Sequence, residues 1–126
     1  MQETLANMEY MYEEGLILPK KATPPETYSD LSLPEDYMLS TNYPNPFNPT
    51  TIIHYAIPEA QKVKITIYDI TGKEVKTLVN EVKPAGYYSI NWDGTNSDFR
   101  QASSGMYIYC MRTNSFIKSK KMLLIR

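Results

Sequence analysis

KVKITIYD, at residues 62–69, alternates between polar and apolar side chains. Val63, Ile65 and Ile67 fall on one face of an extended chain, and two lysines and a threonine fall on the other. This period of two is that of a β-strand with one buried face, because successive side chains of a strand point to opposite sides. A turn around Gly72 and a second candidate strand, EVKTLV, follow it, so the sequence predicts an antiparallel hairpin here.

The alternation continues in both directions along the chain. Upstream lies TIIHYAIPE, and downstream YYSINWDG places Tyr88, Ile90 and Trp92 on one face. MYIYCMR and FIKSKKMLLIR then form a closing hairpin around residues 113–115. Six or seven short strands separated by turns predict an all-β antiparallel sandwich with Trp92 between its sheets. No candidate crossover helix lies among the strands, which argues against a parallel sheet.

Charge divides the chain near residue 36. Residues 1–36 hold eight acidic and two basic side chains, a net charge of −6, and residues 37–126 hold six acidic and eleven basic ones, a net charge of +5. Such a break separates segments with different roles. The basic residues alternate with apolar ones along the strands and do not cluster in the sequence, so they do not predict a nucleic-acid partner.

Residues 1–32 are predicted to be an N-terminal segment separate from the sandwich, which occupies residues 33–126. ETLANMEYMYEEG, at residues 3–15, has apolar side chains at helical spacing and predicts a short helix, and the proline-rich stretch at residues 18–36 predicts an extended linker. No signal peptide is visible, and no apolar run approaches the ~20 residues of a membrane-spanning helix.

TNYPNPFNPTT, at residues 41–51, places three prolines and three asparagines just before the first long strand. Each proline removes a backbone donor and fixes φ, so the stretch suits neither a helix interior nor a central strand. Its NPF tripeptide is a type of motif that adaptor domains bind, but such motifs lie in disordered sequence. We interpret the stretch as an extended lead-in that Tyr43 and Phe47 pin to the sandwich and that blunts an exposed sheet edge.

Few residues offer catalytic or metal-binding chemistry. His54 is the only histidine and lies on the polar side of a strand, so we expect a solvated side chain. Cys110 is the only cysteine, which excludes an internal disulfide, and it has no obvious base partner. DGTNSD, at residues 93–98, offers oxygen ligands without the spacing of a calcium loop, and we favour side chains that cap their own turn. The sequence predicts no enzyme, no cofactor and no small-molecule substrate.

Five blocks of the sequence closely resemble, in order, the type A C-terminal sorting domain of the bacterial type IX secretion system, also called the Por secretion system. The blocks lie within residues 33–126 and read LPEDYMLSTNYPNPFNPTTIIHYAIPE, VKITIYDITGKEVKTLV, PAGYYSINWDG, SSGMYIYCM and KKMLLIR. The same fold is similar to the immunoglobulin-like domain of flagellar hook scaffolding proteins. The resemblance implies an immunoglobulin-like antiparallel β-sandwich of about seven strands.

The resemblance also implies a role as an address. The outer-membrane translocon would read the domain, and a sortase-like protease would then cut it off in the linker before Leu33. The protein that carries the domain, its passenger, would be secreted or held at the cell surface of a bacterium, after passing through the periplasm. By this resemblance, residues 1–32 would be the remnant of a larger passenger, in a longer protein. The family's blocks place translocon recognition at Pro84, Gly86, Gly105, Tyr107, Tyr109, Lys120, Lys121, Met122 and Leu124.

Two functions therefore remain open. The preferred one is a non-enzymatic sorting and anchoring module, and the alternative is a structural or adhesive immunoglobulin-like module. The final strand is apolar on both faces and follows Lys118, Lys120 and Lys121. We expect it to form the surface that the export machinery reads, partly by strand addition to an open edge. Alternatively, the proline-rich lead-in covers its second face.

Overall fold

The computed structural model describes residues 32–126, so the predicted helix at residues 3–15 and most of the predicted linker lie outside it. The described residues form seven strands and no helix. The strands are β1 (Met38–Leu39), β2 (Thr51–Ile57), β3 (Gln61–Asp69), β4 (Glu74–Lys83), β5 (Gly86–Trp92), β6 (Gly105–Arg112) and β7 (Ile117–Leu124).

The strands form two antiparallel sheets. The first sheet has the order β1-β2-β5, and the second has the order β4-β3-β6-β7. Every pairing between neighbouring strands is antiparallel. This confirms the all-β sandwich of seven strands, and it makes β7 an edge strand of the second sheet.

The hairpin of β3 and β4 follows directly from its sequence. Ile65 lies opposite Val79 in the register, and both side chains are buried. At the turn, one carboxylate oxygen of Asp69 accepts hydrogen bonds from the backbone N–H groups of Thr71 and Lys73, at 2.9 and 3.1 Å. Gly72 has a φ of 87°, which L side chains rarely adopt, so the glycine is required by the turn itself.

The core lies between the inner faces of the two sheets. Trp92 is fully buried, and so are Ile65 and Ile67 of β3, which the alternation placed on one face, together with Ile53 and Ile57 of β2. Tyr88 and Ile90 share this face and are partly buried against the core. The predicted position of Trp92 between the sheets is therefore confirmed.

The two sheets differ in charge. The strands of the first sheet contain no lysine, arginine, aspartate or glutamate. Each strand of the second sheet contains at least one basic residue. The positive charge of residues 37–126 therefore lies largely on one side of the sandwich.

The connections between strands gather at two ends, because every paired neighbour is antiparallel. At the end that we call the arm end lie residues 42–50, the turn at residues 70–73, the loop at residues 93–104 and residues 125–126. At the other end, which we call the turn end, lie the connections at residues 58–60, 84–85 and 113–116.

Candidate functional site

The proline-rich segment, residues 42–50, is called the arm below. It leaves the first sheet at Tyr43, whose backbone N–H donates to the carbonyl of Ile52 at 2.9 Å and whose carbonyl accepts from Ile52 at 2.8 Å. The ring of Tyr43 is 77% exposed. The prediction that this side chain pins the arm is therefore wrong, because only its backbone is held.

The arm then crosses to the edge of the second sheet and pairs with β7. The N–H of Phe47 donates to the carbonyl of Leu123 at 3.0 Å, and the N–H of Ile125 donates to the carbonyl of Phe47 at 2.9 Å. The side-chain oxygen of Asn45 accepts from the N–H of Leu123 at 3.0 Å. The arm therefore occupies the C-terminal part of the β7 edge in the manner of an added strand.

Phe47 anchors this arrangement from inside the sandwich. Its ring is 2% exposed and lies 5.6 Å from the Trp92 ring, centroid to centroid. Asn42 and Thr51 close the base of the arm, since the Asn42 side-chain amide donates to the Thr51 hydroxyl at 3.0 Å. The interpretation of the arm as a structural lead-in that blunts an edge is confirmed. It covers the edge of β7, however, and not the strand's second face.

The N-terminal part of the β7 edge stays open. In an antiparallel pair, alternate residues turn their N–H and C=O groups away from the partner strand. Leu123 turns these groups toward the arm, so Lys121, Ser119 and Ile117, at steps of two, also turn theirs away from β6. Within residues 32–126, no backbone or side-chain hydrogen bond covers the outward groups of these three residues. Residues 117–121 are called the open edge below.

Lysines surround the open edge. Lys118 and Lys121 are exposed and Lys120 is partly exposed. Where the open edge meets the arm, a hollow of about 290 Å³ is lined by Asn45, Pro46, Met106, Lys121, Met122 and Leu123. The edge thus combines unpaired backbone groups, positive charge and a small hollow with apolar walls. Such an edge can accept one short extended segment.

Seven of the nine predicted recognition residues come together on β6 and β7. The register places Gly105 opposite Leu124, Tyr107 opposite Met122 and Tyr109 opposite Lys120. Of these, the two tyrosines and both apolar residues of β7 have buried side chains. Lys121 lies on the same two strands and is exposed, so the two lysines are the predicted residues whose charged groups a partner can reach there.

Pro84 lies at the turn end between β4 and β5, and Gly86 is the first residue of β5, so the structure does not bring them to β7. They belong to a local motif in which a tyrosine hydroxyl binds the carbonyl four residues earlier. The hydroxyl of Tyr88 donates to the carbonyl of Pro84 at 2.5 Å. A tyrosine near the start of a strand that bonds back to the chain upstream is a known corner of immunoglobulin-like sandwiches.

The same motif occurs at the arm end. The hydroxyl of Tyr107 donates to the carbonyl of Ser103 at 2.6 Å. Gly105 stands two residues before this tyrosine, as Gly86 stands two residues before Tyr88. The φ of Gly105 is 153°, which disfavours any other residue at that position. Tyr88, Tyr107 and Gly105, from the blocks PAGYY and SSGMY, thus have a structural role at two matching corners.

The loop at residues 93–104 is held by its own side chains. One oxygen of Asp93 accepts from the N–H and the hydroxyl of Thr95, at 3.1 and 2.6 Å, and these bonds lower the pKa of Asp93, the hydroxyl most of all. The side-chain oxygen of Asn96 accepts from two backbone N–H groups downstream. The predicted capping of the turn is confirmed. Within residues 32–126, no three His, Cys, Asp or Glu side chains come together as possible metal ligands.

Arg126 closes the arm end of the sandwich, which the sequence patterns did not predict. Its guanidinium group donates to the carbonyls of Ala102 and Gly94, both at 2.6 Å. Gly94 has a φ of 77°, and a side chain there would meet the Pro49 carbonyl at 3.0 Å. The arm, the loop and the last residue therefore meet at one glycine. The dipeptide Asp93-Gly94 was the available signal in the sequence, because it is typical of a turn whose glycine has a positive φ.

His54 and Cys110, the remaining reactive side chains, lie on the outer faces of the two sheets. His54 is exposed on the outer face of the first sheet. Cys110 lies on the outer face of the second sheet, opposite Thr66 and Ser119, and is 9% exposed. Burial raises the pKa of Tyr55 and of Tyr109 to about 12.

Of the described residues, none belongs to a helix long and apolar enough to cross a membrane.

Comparisons with known proteins agree with this architecture. The family model of the FlgD Ig-like domain matches residues 48–115. No curated protein matches the sequence. Among solved structures, dimeric latent PorU from Porphyromonas gingivalis is similar, with 22% identity and a TM-score of 0.56 over 71% of this chain and 9% of that one. At this identity the likeness is one of fold, and the chain spans about a tenth of PorU.

Two further solved structures are similar with lower TM-scores. FlgD from Xanthomonas campestris, described as essential for flagellar assembly through hook capping, has 22% identity and a TM-score of 0.48 over 72% of this chain and 63% of that one. PorZ from Porphyromonas gingivalis, described as an essential surface component of the type-IX secretion system, has 19% identity and a TM-score of 0.48 over 68% of this chain and 11% of that one.

Proposed function

The chain belongs to the FlgD Ig-like domain family, and we propose that within this fold residues 33–126 act as a non-enzymatic sorting and anchoring module of type IX secretion. The module would direct a passenger protein across the bacterial outer membrane. The proposal rests on the resemblance of five sequence blocks to the sorting domain and on one structural observation. That observation is the open edge of β7, which lies beside the lysines of the block KKMLLIR.

The open edge offers a physical means of recognition. Backbone groups that point away from β6 give affinity for an extended segment of any sequence. Lys118, Lys120 and Lys121 add selectivity, because they attract acidic side chains and repel a second copy of the same edge. The arm sets the limit of the site at Leu123, since it already pairs with that residue.

The partners in this proposal are the outer-membrane translocon and a sortase-like protease. The translocon would engage the open edge, and the protease would cut in the linker before Leu33. The passenger would be secreted or held at the cell surface after passing through the periplasm. The buried recognition candidates, Tyr107, Tyr109, Met122 and Leu124, would act by keeping β6 and β7 in place and not by touching the translocon.

The test is export of a reporter. Residues 33–126 are fused behind a reporter with an inner-membrane signal peptide, in a bacterium that has type IX secretion. We expect the reporter at the cell surface or in the medium. The double variant Lys120→Gln and Lys121→Gln should hold it in the periplasm. Truncation before Lys120 is a poor test, because it removes Met122 and Leu124 from the core.

The matched control is the double variant Lys73→Gln and Arg100→Gln, which removes the same charge from exposed positions away from β7. The control should be exported normally. Equal export of both variants would show that the lysines of β7 are not the signal. Retention of the unchanged fusion in the periplasm would reject the sorting function altogether.

A structural or adhesive module is the second candidate, and the outer face of the first sheet favours it. This face carries no charged residue on its strands. It exposes Tyr43 and Tyr87, at 77% and 65% of their surface, together with parts of Met38 and Ile52. Exposed tyrosines on an uncharged surface are typical of protein interfaces. If the intact fusion is not exported, this candidate becomes the better one.

A further inference from the structure

A second basic feature lies on the outer face of the second sheet, at the turn end. It is a hollow of about 260 Å³, lined by Lys62, Lys64, Asn80, Arg112, Thr113 and Asn114. These residues come from β3, β4, β6 and the turn after β6. The basic residues do not cluster in the sequence, and only the strand pairing brings them together.

The pairing places like charges against each other. Lys64 lies directly opposite Arg112, and Lys62 lies on the same face of β3, two residues before Lys64. All three side chains are exposed. Like charges directly opposite each other in an antiparallel pair destabilise a sheet. The sheet gains no stability from this arrangement, which is what a site for an anion would show before its ligand binds.

No carboxylate in the described part of the chain offsets these charges. The ion pairs within residues 32–126 join Lys83 to Glu81, at 3.4 Å, and Lys76 to Asp93, at 4.0 Å. Glu59, near the same end of the sandwich, accepts hydrogen bonds from Tyr37 and Gln61. The hollow is therefore lined by hydrogen-bond donors and cations, with no negative group.

The neutral part of the lining is held in place. Asn80 lies opposite Lys64 on the side of β4, so its amide shares the outer face with the two lysines. The N–H of Asn114 donates to the side-chain oxygen of Gln61 at 3.0 Å. Ser115 in turn donates its N–H to the hydroxyl of Thr113 at 3.2 Å. The turn that forms one wall is thus tied to β3 and keeps a fixed distance from it.

We propose that this hollow binds a phosphate group of a small or lipid-borne ligand. Three cations around one hollow match a dianionic group better than the single charge of a carboxylate. The guanidinium of Arg112 can bind two oxygens of one phosphate, and the lysines can each bind a further oxygen as point charges. The bound group would remove the repulsion between Lys64 and Arg112. The site is separate from the open edge of β7 and does not depend on the proposed sorting function.

The test uses the full chain of 126 residues and inorganic pyrophosphate as the probe. Binding is measured by calorimetric titration at low salt, and the melting temperature is followed in parallel. Arg112→Gln and Lys64→Gln should each weaken pyrophosphate binding at least tenfold. The matched control is Arg100→Gln, which removes one exposed positive charge elsewhere and should leave the affinity unchanged.

Stability without the probe gives an independent measurement. Because each site variant removes the like-charge contact, its melting temperature without pyrophosphate should be higher than that of the unchanged chain. With pyrophosphate in large excess the order should reverse, since the unchanged chain binds it at least tenfold more tightly and so gains more stability from binding than the variants do. A solvated surface without a ligand would show no such reversal. Arg100→Gln should follow the unchanged chain under both conditions.

The source of the phosphate is separated by a second probe. Vesicles of phosphatidylcholine with phosphatidic acid are compared with vesicles of phosphatidylcholine alone, using co-sedimentation. Binding of both pyrophosphate and the acidic vesicles, lost in Arg112→Gln, indicates a lipid headgroup, and binding of pyrophosphate alone indicates a soluble phosphate. If pyrophosphate does not bind, or if Arg100→Gln weakens it as much as Arg112→Gln does, the proposal is wrong.

Discussion

Phe47 and Trp92 lie with their ring centroids 5.6 Å apart, inclined at 56°, inside the same core. Phe47 belongs to the arm and Trp92 to the end of β5. A third ring, that of Tyr107, meets Trp92 edge-on at 5.3 Å. The arm is thus part of the core as much as it is a cover for β7. The stability of the core and the closure of the β7 edge are therefore linked.

Replacement of Phe47 by alanine should destabilise the domain by about 3–5 kcal/mol, because it leaves a large cavity in a closed core. Chemical denaturation gives the free energy of unfolding. Phe99→Ala is the matched control, since this ring is 79% exposed and contacts the ammonium of Lys76. The control should cost less than about 1 kcal/mol. Equal losses in the two variants would contradict the placement of the arm.

Trp92 should emit at a blue-shifted wavelength in the native state and shift to the red on unfolding. It is the only tryptophan, it is fully buried, and its indole N–H donates to the Thr95 carbonyl at 2.9 Å. Intrinsic fluorescence measures this directly, with N-acetyl-tryptophanamide as the exposed reference. A native spectrum that matches the reference would mean that the ring is not between the sheets.

Loss of the tyrosine hydroxyl at the arm-end corner should destabilise the domain modestly. Tyr107→Phe removes the hydrogen bond to Ser103 and should cost about 1 kcal/mol. Tyr88→Phe should cost less, because its bond to Pro84 is exposed to solvent. Tyr87→Phe is the control, since that side chain is 65% exposed, and it should stay within about 0.5 kcal/mol of the unchanged chain. No difference between Tyr107→Phe and the control would argue against a corner.

Gly94 and Gly72 form a pair that separates backbone strain from steric contact. Both have positive φ, 77° and 87°, so alanine at either position should cost about 1–2 kcal/mol. At Gly94 the added carbon also meets the Pro49 carbonyl and the Arg126 guanidinium, at 3.0 and 2.9 Å, whereas Gly72 has open space. Gly94→Ala should therefore have the lower melting temperature. Equal melting temperatures would mean that the arm end is loosely packed.

The domain should lose stability between about pH 10 and pH 12. Burial raises the pKa of Tyr55 from 10.0 to about 12 in the folded state. The unfolded chain therefore releases this proton first, and the stabilisation is complete below pH 10 and disappears as the pH rises through 12. Denaturation midpoints across this range should fall less steeply in Tyr55→Phe. The same slope in both proteins would show that this hydroxyl is not desolvated.

The alternation in the sequence predicted the strands and their inner faces well, because burial of one face imposes a period of two on the side chains. The isoleucines of β2 and β3 and the position of Trp92 are examples. The hairpin of β3 and β4 was also readable, since its turn uses an aspartate cap and a glycine. The same local chemistry made the turn at residues 93–98 predictable.

The open edge of β7 and the basic hollow were only partly predictable. A period of two shows which face a residue takes but not which strand lies beside it, so the pairing of Lys64 with Arg112 had no signal. The division of the β7 edge also depends on a contact between residues 47 and 123, far apart in the chain. Tyr43 is exposed and Phe47 is buried because of the path that the arm takes. The composition of the arm does not determine that path.

The pairing of the arm with β7 also fixes the smallest fragment that can fold without a new aggregation hazard. A fragment that began at β2 would keep six of the seven strands but would lose Phe47 from the core. It would also free the outward backbone groups of Leu123 and Ile125, next to apolar side chains and beyond the lysines. Long unprotected edges of this kind join across molecules. Loss of the arm by proteolysis would therefore expose the covered part of the β7 edge and make the domain prone to aggregation.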